Sequence, residues 1–400
     1  MRKPRRHRGD SEEESGRYEV AVASHVFANG PAQALEEYLR RKGRSYLFIG
    51  HPFHIRASEP SFCLRVTTNG ATVRIRSRLP PIPEPYRYLL DFLTTVWWVA
   101  RFGPVDVLIG CGNLNAFAGV LLQRLGRVRK VVFYAIDYVP VRFNQRVLNA
   151  AYHWVEQACA RHCDWIWNLS PAMAEARAQA GIAPARSAPQ LVVPMGGGFH
   201  LRDRIIPKKD PATIAFLGHL LEKQGVQVAL QALPAVLREV PHARLLVMGT
   251  GPCEGELRRL ATRLGVTEHV EFTGFIDDFG LIQRRLAQST IGVAPYLGEL
   301  DRWTRYADPG KIKDYLAAGL PIVTTAVPPI ARKLETAGAG VVADPTPVSV
   351  AAVLVWLLTD RAILEHMSHA ALALAQEYDW NRIFDNAFRS SVLGCHTSSG

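Results

Sequence analysis

"VDVLIGCGNLNAFAGVLLQRLGRVRKVVFYAI" occupies Val105–Ile136. Its first six residues are mostly β-branched or apolar and end on Gly110. Leu114–Gly126 then carries apolar residues at helical spacing and closes on Gly126. Lys130–Ile136 returns to a β-branched and aromatic run. A strand, a helix and a second strand in this order predict a parallel pair joined by a helical crossover, because a tight hairpin turn cannot connect parallel strands. The same alternation extends in both directions. "YEVAVAS" at 18–24 predicts a first strand. "PAQALEEYLRRKG" at 31–43 predicts a helix opened by Pro31 and closed by Gly43, and "SYLFIG" at 45–50 a second strand. A hairpin-like stretch at 60–80 precedes a long helix, "PYRYLLDFLTTVWWVARF". Another helix, "NQRVLNAAYHWVEQACARHC", and a strand, "WIWNLS", follow.

The rhythm pauses at "PMGGGFHLRDRIIPKKDP", residues 194–211, where three glycines, clustered charges and prolines predict a linker. It resumes with "TIAFLG", "QGVQVALQALPAVLREV", "ARLLVMG", "CEGELRRLATRLG" and "VEFTG", then the strands "TIGVAP", "LPIVTTAV" and "GAGVVAD". From Thr346 the chain reads as helix almost throughout. The pattern predicts an α/β fold with two Rossmann-like, doubly wound parallel-sheet domains facing a cleft. The expected boundaries are a disordered leader at 1–16, an N-terminal domain at 17–200 and a C-terminal domain at 201–375. Residues 376–400 are expected to form a terminal helix crossing back to the first domain, plus a tail.

The 400 residues suffice for two or three domains, and 48% hydrophobic with 21% charged residues excludes a disordered chain. A net charge of +11 favours anionic partners. The leader "MRKPRRHRGDSEEESGR" has no apolar core segment and does not read as a secretory signal. Cys63, Cys111, Cys159, Cys163, Cys253 and Cys395 form neither a C-x-x-C pair nor a zinc spacing, which fits reduced thiols in a cytoplasm. No apolar run approaches the about 20 residues of a spanning helix. The long helix "PYRYLLDFLTTVWWVARF" combines aromatic and basic residues as a membrane-surface element does. It is apolar almost all round, though, and the favoured reading is a buried core helix.

"GTGP" at 249–252 begins like a dinucleotide fingerprint. Glu254 stands where the third glycine belongs and Pro252 interrupts the turn, so NAD binding is disfavoured. No phosphate loop of the G-x-x-x-x-G-K-[ST] type, no nucleophile elbow and no Asp-x-Asp pair occurs. Neither a metal nor a cofactor is expected, and no helix reads as a nucleic-acid reader.

"FLGHLLEKQGVQVALQALPAVL", "ARLLVMGTGPCEGELRRLA", "VEFTGFID" and "DPGKIKDYLAAGLPIVTT" stand in that order. Together they resemble the nucleotide-sugar half of the retaining group 1 glycosyltransferases of GT-B fold, over most of residues 212–360. The resemblance implies a metal-independent, hexosyltransferase-type enzyme that moves a sugar from a nucleoside-diphosphate donor to an acceptor hydroxyl. It also implies polysaccharide or glycolipid synthesis, with a glycan or lipid-linked acceptor and a cytoplasmic setting that allows peripheral contact with the inner membrane face. A non-catalytic GT-B partner subunit and a nucleotide-sugar epimerase are the alternatives.

Without a metal, the leaving diphosphate needs backbone amides at helix N-termini and basic side chains. Gly218, His219 and Lys223 form the expected phosphate turn. The family's Arg and Lys positions hold His219 and Gln224 here, and Lys311 is expected to compensate. The family's paired glutamates correspond to Tyr306 and Asp314, so Asp314 is expected at the donor ribose. Asp308 either contacts the sugar or caps the following helix. Gly319 is expected to end that helix. In the first half, Asn29 and Gly30 form the expected acceptor or phosphate loop, or a plain βα turn with Pro31 at the first helical position. Asp137 is either a base near the acceptor or structural. Arg142 either pairs with Asp137 or meets an acceptor phosphate. Asn113 and Asn115 end a strand, and His51 and His54 read as plain loop.

Overall fold

The structure is a computed structural model. It describes residues 17–26, 30–52, 60–77, 83–138, 140–197, 210–298 and 304–393. The leader 1–16, Asn29, His54 and Cys395 lie outside the described residues. The chain divides into two compact units, residues 1–28 with 39–133, and residues 29–38 with 134–400.

The first unit is built on β1 (Tyr18–Val26), β2 (Tyr46–Pro52), β5 (Val105–Cys111) and most of β6 (Val128–Ala135). β1 runs parallel to β2 and β5, with Ala21 opposite Leu47 on one side and Leu108 on the other. β3 (Ser61–Val66) and β4 (Thr72–Ser77) add an antiparallel hairpin beside β2, giving the order β4-β3-β2-β1-β5-β6. Arg74 and Arg76 put charge on the edge strand, which disfavours pairing with another chain. α3 (Asn113–Arg124) lies directly on β5: a Cβ on Gly110 would meet the Ala116 amide at 2.2 Å, so only glycine admits this approach.

α2 (Glu84–Phe102) departs from the core-helix expectation. Trp98, Val99 and Asp91 are buried, whereas Tyr86, Leu89, Leu93 and Trp97 are 66%, 57%, 51% and 58% exposed. Their spacing of three and four residues puts these four on one face. The helix is apolar on both faces but buries only one. His51 corrects a second expectation. It is no loop residue but sits near the end of β2, fully buried.

The second unit opens with most of α1 (Pro31–Arg41), followed after the break by α4 (Arg146–His162) and β7 (Trp165–Asn168). α5 (Pro171–Gln179) and β8 (Gln190–Val192) follow, and β8 pairs parallel with β7. A six-stranded sheet then forms from β9 (Thr213–Leu217), β10 (Arg244–Met248), β11 (Val270–Gly274), β12 (Ile291–Ala294), β13 (Ile322–Thr324) and β14 (Gly340–Val342). All five pairings are parallel, in the order β11-β10-β9-β12-β13-β14.

Both faces of this sheet are covered, as a parallel sheet requires. α6 (Val226–Glu239), α7 (Glu254–Arg263) and α11 (Pro347–Thr359) bury Ile214, Phe216 and Val247 on one side. α8 (Phe279–Gln288), α9 (Gly310–Ala317), α10 (Ala331–Thr336) and α12 (Arg361–Ala375) bury Ala215, Leu246 and Met248 on the other. α9 ends as expected at Gly319, φ 65°, with the Leu320 amide donating to the Tyr315 carbonyl at 3.0 Å in a Schellman closure. α13 (Trp380–Ala387) packs on α1, with the Tyr38 hydroxyl donating to Asp385 Oδ1 at 2.7 Å and Tyr38 stacking on Phe388.

Candidate functional site

The order of the six-stranded sheet fixes where a ligand has room. From β9 the chain steps outward through β10 to β11, then returns to the other side of β9 and steps outward again through β12, β13 and β14. β9 and β12 are therefore the neighbours at which the winding reverses. The crevice outside their carboxyl ends is the standard ligand position in such a sheet.

Glycines crowd this end because backbone packs on backbone. Gly218 follows β9 at φ 137°, its amide donating to the Met248 carbonyl at 2.9 Å. A Cβ on Gly249 would fall 2.0 Å from the Gly218 carbonyl oxygen, and one on Gly251 would fall 2.5 Å from that of Leu220. The "GTGP" glycines thus owe their presence to packing against the Gly218 turn. Gly225, φ 76°, caps α6 and lies against β12, where a Cβ would meet the Pro295 carbonyl oxygen at 1.8 Å. No side chain caps α6; of its first-turn amides Val228 donates to the Gly225 carbonyl at 2.9 Å, and Val226 and Gln227 precede it at the helix start.

Lys311, from the first turn of α9, reaches into this crowded end. Its Nζ donates to Gln224 Oε1 at 2.6 Å and lies 4.1 Å and 5.2 Å from the ring centroids of Phe216, within β9, and Tyr296, just after β12. A Cβ on Gly218 would come within 2.9 Å of Nζ. The residue is half-buried as a whole, with its amino group in the enclosed part. Burial pushes its pKa down to about 7. Among the described residues no carboxylate forms an ion pair with it. Gly218, Gln224 and Lys311 therefore converge. His219 is exposed, and Lys223 and Asp314 are half-buried.

Asp308 and Lys313 form a second, separate assembly. The α9 cap is Pro309, with no side-chain cap bond, so the capping alternative for Asp308 is not realised. Asp308 Oδ1 instead pairs with Lys313, and its Oδ2 accepts from the Met195 amide at 2.8 Å. Lys313 is completely buried, 4.9 Å from the Tyr378 ring centroid, and its backbone carbonyl fills the space beside Gly197. Burial lowers the Lys313 pKa and the Asp308 charge opposes this. The pair anchors α9 to the Met195–Gly197 segment. Nothing in the sequence marked Lys313 as inward-facing: it sits beside the apolar stripe of Ile312, Tyr315 and Leu316, where the helical pattern alone suggests a surface lysine.

Arg142 Nη1 lies 3.5 Å from Asp137 Oδ2, and the Asp137 side chain is 61% exposed. The Arg142 amide donates to Asn149 Oδ1 at 2.8 Å. Gly30 precedes α1, and its amide donates to Gln33 Oε1 at 3.1 Å, half of a capping box. Tyr306 packs edge-on against Tyr138, and its carbonyl accepts from the Ser170 hydroxyl. A cavity of about 800 Å³ opens near Asp210, Arg244, His269 and Arg285, at the amino ends of β9–β11. It is the wrong end of the strands for the convergence just described, and its Arg285 is paired with Glu271 at 2.9 Å.

Residues 211–360 match the family model described as Glycosyl transferases group 1. The chain is 28% identical over 179 residues to a phosphatidyl-myo-inositol mannosyltransferase of Mycobacterium leprae, which is 44% of this chain and 45% of that one. It is 39% identical over 64 residues to a GDP-mannose-dependent alpha-(1-6)-phosphatidylinositol monomannoside mannosyltransferase of Mycolicibacterium smegmatis, 16% of this chain and 17% of the relative. The chain thus spans less than half the length of the curated relatives it matches. Among solved structures, sucrose-phosphate synthase from Thermosynechococcus elongatus superposes with a TM-score of 0.69 at 17% identity, over 94% of this chain and 100% of that one. HepE of Anabaena in complex with UDP gives 0.66 at 15%, over 93% and 99%. These likenesses establish the GT-B fold.

The Asp308–Lys313 anchor has a testable cost. Asp308→Asn leaves a buried lysine without its counter-charge and is expected to lose roughly 3–5 kcal/mol of stability in urea unfolding. Adding Lys313→Met to it should recover most of that loss. Equal losses in the single and double variants would show that the two side chains do not act as a pair.

Proposed function

We propose that this chain, a group 1 glycosyltransferase of GT-B fold, transfers a sugar from a nucleoside-diphosphate donor to an acceptor hydroxyl with retention of configuration and without a metal. The observation that carries this reading is Lys311: a lysine amino group enclosed at the reversal of the second sheet, held by an amide and two aromatic rings, with no acid paired to it among the described residues. Holding a cation there without a counter-ion is unfavourable, and a diphosphate would supply the missing charge. The uncapped first turn of α6 adds backbone donors and a positive dipole end beside the same turn.

In this reading Gly218 lets the diphosphate approach the backbone. Lys311 and Lys223 neutralise the charge that develops as the sugar leaves, and His219 adds a donor from the exposed side. Asp314 accepts from the donor ribose. Asp308 acts through its anchor, setting the position of α9 and hence of Lys311. Gly30, Asp137 and Arg142 serve the acceptor side. The mannosyltransferase relatives act on phosphatidylinositol derivatives, which supports a glycan or lipid-linked acceptor and a place in glycolipid or polysaccharide synthesis.

Calorimetry with UDP, GDP and ADP in the absence of metal tests the donor site. One nucleotide should bind, and Lys311→Ala should weaken it by about tenfold or more, as expected for a lost charge-assisted contact. Asp314→Ala should weaken it by less. Binding that is unaffected by Lys311→Ala would remove the basis of the reading.

The exposed apolar face of α2, ending at Arg101, supports peripheral contact with an anionic membrane where a lipid-linked acceptor resides. Flotation with vesicles containing phosphatidylglycerol should recover the wild-type chain, and Leu93→Glu with Trp97→Glu should abolish recovery. Equal recovery of the double variant would exclude α2 as the contact.

A further inference from the structure

The linker expected at 194–211 is not slack where it begins. Pro194–Gly197 follows β8, and Gly196 and Gly197 are both buried. At each of these glycines a neighbour fills the place of a side chain. A Cβ on Gly196 would fall 2.5 Å from the Trp380 ring, and one on Gly197 2.6 Å from the Lys313 carbonyl oxygen. The Gly197 amide donates to the Tyr378 carbonyl at 3.1 Å, and Gly197 forms a parallel bridge with Asp379. Asp379 in turn caps α13, accepting from the Asn381 and Arg382 amides at 3.0 and 3.1 Å. The segment is thus packed against both α9 and the Tyr378–Trp380 turn.

α9 supplies both the grip on this segment and a link to the donor end. Its Lys311 and Lys313 are two residues apart, about 200° round the helix, so they leave it in nearly opposite directions. Lys311 reaches Gln224 at the reversal of the sheet. Lys313 pairs with Asp308, whose other oxygen takes the Met195 amide at 2.8 Å. Met195 also lies against the start of the helix, its Cε 3.0 Å from where a Cβ on Gly310 would stand. The Tyr378 ring centroid is 4.9 Å from Lys313 Nζ and 5.0 Å from Lys333 Nζ, and Lys333 pairs with Glu377 at 2.7 Å. The Met195 amide exchanges with solvent only when Asp308 lets go of it. Asp308 holds Lys313 as well, and a buried ammonium without its acid is costly. Release of Asp308 therefore unseats α9, and Lys311 with it.

We infer that Met195–Gly197 is a clamp set by the donor site: α9 joins it to Lys311 in one cooperative unit, and an anion bound at Lys311 tightens the hold on the start of the linker. The inference rests on the diphosphate reading of Lys311. Its physical basis is linkage. A ligand that binds only the seated form of α9 lowers the population of the unseated form by roughly the ratio of ligand concentration to Kd. An opening confined to a few residues would leave the donor site intact and would not respond to the ligand. Val193 supplies the internal reference. It lies two residues before Met195, but its amide donates to the Asn168 carbonyl of β7, at 2.8 Å.

Hydrogen exchange of the full chain, read at single amides by mass spectrometry, tests this with whichever of UDP, GDP and ADP binds. With nucleotide at about 100 times its Kd, the Met195 and Gly197 amides should slow by roughly a hundredfold while Val193 stays unchanged. In the Asp308→Asn/Lys313→Met chain, saturated with the same nucleotide, the slowing at Met195 should largely disappear because the ionic link is gone. Unchanged exchange at Met195 and Gly197, an equal slowing at Val193, or undiminished slowing in the double variant overturns the inference and leaves the transferase reading standing. If no nucleotide binds, that reading falls and the clamp is judged on the ligand-free chain. There Lys311→Met removes the buried charge and should slow Met195 and Gly197 relative to wild type at about pH 6, where Lys311 is charged. Equal rates in those two chains overturn the clamp.

Discussion

A buried lysine amino group with no carboxylate partner among the described residues lies at the centre of the second unit. Lys311 holds its amino group where the winding of the sheet reverses, against Phe216 and Tyr296 and hydrogen-bonded to Gln224. The neighbouring backbone is arranged around that end. Gly218, Gly249 and Gly251 let the β9 and β10 turns touch, and Gly225 lets α6 begin against β12. The arrangement costs stability. With a folded pKa near 7 and an unfolded one near 10.5, the unfolded chain binds the extra proton between those values. Stability therefore rises with pH across that window, and at neutral pH the buried lysine is a liability.

The second lysine of α9 follows the opposite logic. Lys313 is buried more deeply than Lys311 but has its acid, Asp308, which also takes the Met195 amide. Two lysines two residues apart on one helix thus divide the roles. One is paired with an acid and fixes the helix; the other is hydrogen-bonded to a neutral amide. Aspartate and glutamine are what separate them, since the partner of Lys313 carries a full charge and that of Lys311 only a dipole.

Much of this was legible in the sequence. The strand–helix alternation located both sheets, and the Pro31 and Gly319 boundaries held. Short elements were harder. α5, α8, α10 and β8 carry too few residues for a clear period and are held by tertiary packing. The sequence suggested that Lys311 makes up for Gln224, and the structure joins the two directly. Burial was the main thing periodicity failed to supply. α2 is apolar on all sides, so its pattern could not separate the face on the core from the one in solvent. Lys313 and its partner Asp308 lie only five positions apart, and composition gives no sign that the pair faces inward.

The account depends on whether Lys311 awaits a diphosphate. The most direct measurement is the titration of its 15N-labelled Nζ by NMR, assigned through Lys311→Arg, with and without the nucleoside diphosphate that binds. The account expects a midpoint near 7 in the free protein and a rise of two or more pH units once the diphosphate supplies the missing charge. A midpoint that starts near the ordinary lysine value, or one that does not move on binding, would contradict it.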